Sequence, residues 1–224
     1  MIHFLKLAEM KYFMASSYYF LSNYQTLKHQ RYAKSLIHSL DGTSFEIGHH
    51  ISGRSINEKQ LSVDFHQFRY LVRKLYGERV HMLRFEVNHL FSQLEQNGYC
   101  YDNSLLFPEE LGYRTGFTYP HYIFDPIEKK QFNVVAIPLN VMDTTLFNGK
   151  FLTLSDREAE IEMMAFLDSI IEFGGAISIL IHNTFFYLNT ATRFIIYDRM
   201  LKFFSDRNIR VGTCRELFLW RKGL

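Results

Sequence analysis

Strand-like and helix-like hydrophobic periods alternate along almost the whole chain, and that ordering constrains the fold more than any other feature. A short helix is predicted over Phe4 to Phe13, followed by the strand SSYYFLSN and a helix from Thr26 to Leu40 that Asp41-Gly42 stops. The strand SFEIGHH comes next. From Leu61 to Leu75, the residues Leu61, Phe65, Phe68, Val72 and Leu75 share one helical stripe, with Gly77 beyond it. VHMLRF, a short helix over His89 to Gln96, CYDNSLLF and, after a long loop, FNVVAIPL continue the alternation. Ser155 and Glu158 form a capping box that opens a helix running to Phe173, where Gly174-Gly175 ends it. AISILIHN, a helix from Thr192 to Ser205 and IRVGTC complete the pattern. Strand, helix, strand in this order implies an α/β fold of seven parallel strands joined by right-handed crossovers.

No linker, repeat or low-complexity tract interrupts residues 1–224, which read as one domain. The length suits one substantial core and is short for two. With 47% hydrophobic and 21% charged residues the chain is not of the disordered class. A net charge of +2 without a basic run gives no footprint for nucleic acid. At the start, Lys6, Glu9 and Lys11 interrupt the apolar residues, so MIHFLKLAEMKYF reads as an amphipathic helix and not a secretory signal. No run approaches the roughly 20 apolar residues of a membrane span. Cys100 and Cys214 have no metal-type spacing and are expected as reduced thiols in a cytoplasmic protein. Aromatic residues are abundant, with 22 Phe and 14 Tyr against one Trp. They suit a barrel core first and sugar stacking second.

Single polar residues recur at predicted strand ends: His50 closes SFEIGHH, Arg79 and His81 bracket the start of VHMLRF, Asp102 lies in CYDNSL and His182 ends AISILIHN. In a parallel barrel such ends gather at one rim, where chemistry is done. Within AISILIHN, Ile177, Ile179 and Ile181 are expected to face the helices, and Ala176, Ser178, Leu180 and His182 the interior. Residues 105–152 are the least regular, and RTGFTYPHYIFDP is either a cleft-shaping loop or a packed surface excursion.

A series of short strings carries a family resemblance. EIGHH ends at His50; Arg79-Val80-His81 precedes Leu83-Arg84; GYCYDNSLLF, GYRTGFTYPHYIFD, IPLNVMDTTLF, ILIHN and CRELFLWR follow in order. From about Ser16 to Arg221 this set resembles the polysaccharide deacetylase (NodB-homology) family, in particular a bacterial branch found near glycan-biosynthesis genes. The resemblance implies a deformed, partly open seven-stranded (β/α) barrel with its first strand missing, and a protein acting on or binding a carbohydrate or glycan precursor. It implies a metal ligand at His50, a general acid at His182 and, at Arg79, the residue that orients the family's aspartate base.

Two departures accompany it. The family's first strand ends in an aspartate pair, one a base and one a metal ligand, whereas this chain begins inside the helix that follows; Glu9 sits mid-helix and does not replace the pair. In the family's H-x-x-x-H motif, Arg54 stands where the second histidine would be. The expectation is therefore a catalytically impaired, pseudoenzyme-like member that keeps a glycan-binding cleft. Arg54, His81, Asp102, Tyr119 and His121 are its candidate substrate-binding residues. One alternative is an active hydrolase of amide (C–N, non-peptide) or acetyl ester bonds in carbohydrates, with zinc held by His50, His81 and His182, since catalytic zinc takes three protein ligands. Another is a non-catalytic subunit whose open barrel edge is covered by a second copy or a partner chain. His49 is expected to be structural, Asp102 and Ser104 to tie their loop through local hydrogen bonds more than to do catalysis, and Asp143 to cap or turn.

Overall fold

A computed structural model describes residues 14, 17–22, 35, 37–40, 43–52, 58–70, 72, 74–147, 149–186 and 190–224. The helix predicted over Phe4 to Phe13 and most of the one over Thr26 to Leu40 lie outside these residues; residues 37–40 are helical. The chain divides into two compact units woven from alternate stretches.

The first unit takes residues 16–105, 120–137 and 213–224. Its six-stranded sheet runs in the order β1 (Ser17–Ser22), β2 (Glu46–Ile51), β3 (Gly77–Val80), β4 (Tyr101–Asp102), β6 (Lys130–Ala136) and β5 (His121–Asp125). β1 to β4 and β6 are parallel, as the alternating pattern demands, and β5 pairs antiparallel with β6. Helices α1 (Glu58–Arg69) and α2 (Val87–Gln96) supply one face of the packing. There Leu61, Phe65, Leu90 and Leu94 meet Ile51 and Val80 in a sealed cluster. The Glu86 carboxylate starts α2 by accepting the backbone N–H groups of Asn88 and His89. On the opposite face, Tyr101, Val135 and Ile137 pack against Cys214 and Phe218 of α6 (Cys214–Lys222). A capping box between Thr213 and Glu216 opens that helix. The Glu46 carboxylate also accepts the Arg215 N–H at 2.8 Å, pinning the helix start to β2.

The second unit takes residues 1–15, 106–119 and 138–212. Its parallel strands β7 (Val141–Met142) and β8 (Ile179–Leu180) are accompanied by α3 (Asp143–Phe147), α4 (Asp156–Phe173) and α5 (Thr190–Asp206). The predicted capping box is present: Ser155 and Glu158 bond reciprocally at the start of α4. Ile177, Ile179 and Ile181 join the core with Met163, Leu167 and Met200, as the alternation in AISILIHN requires.

Four expectations change. The strand at VHMLRF lies upstream, at residues 77–80, because Met82 and Leu83 adopt left-handed backbone (φ 63° and 53°) that breaks the pleat and turns the chain. His81 therefore follows its strand, and Arg79 lies within it. Helix α1 stops at Arg69 and not near Leu75; Tyr70 is exposed, and Val72 is buried from non-helical backbone. HYIFD, read as loop, is the antiparallel strand β5, so the sheet is not purely parallel. IRVGTC is not a strand: Ile209 and Val211 pack against the second unit's core, and Thr213 is committed to capping α6. Among the described residues, no helix is long and apolar enough to cross a membrane.

Candidate functional site

Strict alternation along β2 sends its consecutive residues to two different environments. His49 is sealed on the α1 side, stacked on Phe68 with ring centroids 4.7 Å apart and hydrogen-bonded through Nδ1 to the Tyr99 hydroxyl. Burial pushes its pKa down to about 3, which keeps the ring neutral. Its structural role was legible from the pattern. On the same side, the in-register neighbours Glu78 and Asp102 bring two fully buried carboxyls together. Burial raises both, and Glu78 finds no hydrogen-bond donor for either oxygen. Two such carboxyls side by side disfavour each other's ionisation. Asp102 accepts the Ser104 N–H at 3.1 Å, while Ser104 Oγ accepts the Val80 N–H at 2.8 Å. Asp102, a candidate substrate ligand from the sequence, is thus enclosed at 0% exposure and ties its own loop.

The other face carries Tyr19, Glu46, His50, Arg79, Tyr101 and Asn103. Gly48 and Gly77 make room for it, since a Cβ at either would overlap the ring of Tyr19 or Tyr101 respectively. Tyr101 donates to Glu46 at 2.8 Å, and Ser17 donates to the same carboxylate at 2.6 Å. Arg79 is 6% exposed, with its guanidinium carbon 4.2 Å from the Tyr19 ring centroid. Its Nε donates to the Asn103 backbone carbonyl at 3.0 Å, and Nη2 donates to Asn103 Oδ1. Asn103 is itself held by donating from Nδ2 to the Ile137 carbonyl at 3.0 Å.

His50 Nδ1 lies 2.7 Å from the Arg79 backbone carbonyl. A carbonyl only accepts, so Nδ1 carries a proton. The His81 ring sits edge-on at 5.1 Å. The structure thus brings together three of the predicted residues: His50, Arg79 and His81. Arg54 lies outside the described residues. Among those residues, no group of three or more His, Cys, Asp or Glu side chains is arranged to hold a metal ion. His50 and His81 are two imidazoles where catalytic zinc takes three protein ligands, so these donors do not by themselves fit a zinc centre.

In the second unit, Asp143 follows β7 directly and His182 lies two residues beyond β8, which brings the two strand ends side by side. His182 Nδ1 lies 2.6 Å from Asp143 Oδ1, and the His182 backbone N–H donates to Oδ2 at 3.0 Å. The carboxylate therefore fixes both the position and the tautomer of the ring, with Nδ1 protonated and Nε2 presented for proton exchange. Asp143 is buried and the His182 side chain one-third exposed, the arrangement of an oriented acid or base. The Thr144 N–H also bonds Asp143 Oδ1, so the expected local turn is real. The pairing with His182 is what sequence reasoning missed. Of the remaining predicted residues, Tyr119 is exposed in this unit, and His121 lies on β5 of the first unit opposite Ala136.

No protein-family model matches the chain, and no curated protein matches it. Among solved structures, it is similar to the crystal structure of a candidate polysaccharide deacetylase involved in O-antigen biosynthesis from Bordetella bronchiseptica. The match covers 98% of this chain and 82% of that one, with 14% identity and a TM-score of 0.47. This is the family that the sequence motifs resemble.

Proposed function

We propose that this protein is a polysaccharide-deacetylase-like carbohydrate protein, on a deformed (β/α) barrel, that retains the proton-transfer half of deacetylation and a reduced metal half. The observation that carries the reading is the Asp143–His182 dyad at adjacent strand ends. When an acetamide or acetyl ester is cleaved, the departing amine or alkoxide must receive a proton. A His182 imidazolium delivers it from Nε2, while Asp143 accepts from Nδ1–H and stabilises the charged ring without itself being protonated. Support for the carbohydrate substrate comes from the ordered motif set that runs from EIGHH to CRELFLWR.

The second reading is an active, zinc-dependent hydrolase. Its ligands would include His50 and His81, whose rings sit edge-on at 5.1 Å, with a third supplied from outside the described residues. Acetate release from N-acetylglucosamine oligomers, measured with chelator and with added zinc, separates the two. Oligomer binding with negligible turnover supports the impaired protein, whereas zinc-dependent turnover lost in His50→Ala supports the enzyme. Neither binding nor turnover would end the carbohydrate reading.

A further inference from the structure

Helix α3 presents one side to an apolar cavity inside the second unit. Asp143, Leu146 and Phe147 all line it, at the three- and four-residue spacing that sets side chains along one face of a helical turn. Ile179 and Ile181, at and just beyond β8, line it too, with Ala159 and Met163 from α4 and Met200 from α5. The space measures about 370 Å³, part of it open to solvent. Ala159 leads the buried stripe of α4, where Met163, Leu167 and Ile170 follow, and its single methyl leaves room that a larger member of the stripe would take. The aromatic wall is held in place. The Arg193 guanidinium carbon lies 4.5 Å from the Phe147 ring centroid and 4.9 Å from that of Phe185, whose carbonyl accepts from Nη1 at 2.9 Å. Asp156 anchors Arg193 in turn, at 3.3 Å.

Among the described residues, Asp143 is the one charged member of this lining, and the same carboxylate orients His182. Its oxygens are engaged there, Oδ1 by the His182 ring and the Thr144 N–H and Oδ2 by the His182 N–H. The cavity therefore offers a ligand apolar contact more than hydrogen bonds. A sugar ring inside it would leave hydroxyls unsatisfied, and water would find too few polar partners. A hydrocarbon chain meets neither difficulty, and the unbranched, polarisable side chains of Met163 and Met200 adapt to a flexible one. Resting on the proton-transfer reading of the dyad above, we propose that this cavity seats the acyl chain of the substrate, so that the bond to be cleaved carries an acyl group longer than acetyl. The sugar stays outside, toward the solvent that reaches the one-third exposed side chain of His182. Helix α3 sets the reach, since from Asp143 to Phe147 it spans about 6 Å at a rise of 1.5 Å per residue. That suits a butanoyl to hexanoyl chain and not a long lipid tail.

Calorimetric titration of the intact chain with N-acetyl-, N-butanoyl-, N-hexanoyl- and N-octanoylglucosamine tests this. Affinity is expected to rise by up to about fourfold per added methylene as far as hexanoyl, and to gain nothing more at octanoyl. In NMR spectra the side-chain methyl signals of Met163 and Met200 should shift with the hexanoyl compound, and that of Met82 in the first unit should not. Ala159→Phe, which fills the cavity, should flatten the dependence on chain length, whereas Met200→Ala, which enlarges it, should extend the gain to octanoyl. Circular dichroism checks that the variants fold, and the wild-type series needs no variant at all. Affinity that stays flat or falls from acetyl to hexanoyl overturns the proposal, and so does a gain that moves Met82 in place of Met163 and Met200. Acetylglucosamine oligomers that bind while longer acyl groups gain nothing would sink this inference and leave the carbohydrate reading intact. Hexanamide binding as tightly as N-hexanoylglucosamine would keep the acyl seat and remove the sugar.

Discussion

His50 and His182 both stand at the ends of parallel strands, yet they are held by different anchors. A backbone carbonyl holds His50, and a carboxylate holds His182. Both anchors select the same tautomer, with Nδ1 protonated. They differ in charge: the anchor of His182 is a carboxylate, whereas that of His50 is a neutral dipole belonging to buried Arg79. The comparison teaches that one tautomer can be selected by a charged anchor or by a neutral one.

The sharpest way to break this contrast is at the dyad. His182→Ala should lower any acetate release by about 10²–10⁴-fold, the range for loss of a positioned acid. Asp143→Asn should cost about 10–100-fold and shift the pH profile, because the amide keeps the shape of the anchor and removes its charge. Nitrogen-15 NMR gives a readout that does not need turnover. The His182 Nδ1–H resonance should move strongly in Asp143→Asn, and that of His50 should not.

Stability changes should distinguish the two regions as well. Gly77→Ala should destabilise the first unit by about 1–3 kcal/mol, since the new methyl collides with the Tyr101 ring. Amide exchange should then accelerate in β3 and β4 and leave α4 unchanged. Two pH effects of opposite sign are expected in the same unit. His49 titrates near 3 when folded against 6.5 ordinarily, so the unfolded chain binds more protons between those values. Its contribution is fully present above 6.5 and is lost as pH falls toward 3, and His49→Leu should flatten that acid slope in thermal melts. Glu78 is raised by burial, so its contribution is fully present below its ordinary value of 4.5 and is lost as pH rises toward the folded pKa. Glu78→Gln should be the smallest change, a gain of about 1 kcal/mol at pH 8 that vanishes near pH 4.

Much of this was legible before any coordinates. The helix-strand alternation gave the parallel sheet, the Ser155/Glu158 box gave the start of α4, and alternation separated His49 from His50. Antiparallel β5 was hidden because HYIFD mixes aromatic and polar residues without a clear period, so it read as loop. β3 was displaced because the left-handed turn at Met82 and Leu83 involves ordinary residues, with no glycine to announce it. The Asp143–His182 pairing spans 39 positions and depends on β7 and β8, two-residue strands too short to show a period. A signal was nonetheless present, since VMDTTLF and ILIHN each place a titratable residue just past an apolar run. The partners of Arg79 could not be read at all, because Asn103 engages it partly through a backbone carbonyl.

The notches at Gly48 and Gly77 bear on how such a chain can diverge. Each tyrosine lies where its glycine's missing methyl would be, so neither member of a pair is free to drift alone. An alanine at 77 becomes tolerable once residue 101 has shrunk, and the same holds for 48 and 19. Among descendants these two couples should change hand in hand, leaving a record of the inner surface that a reader of many sequences can recover without coordinates.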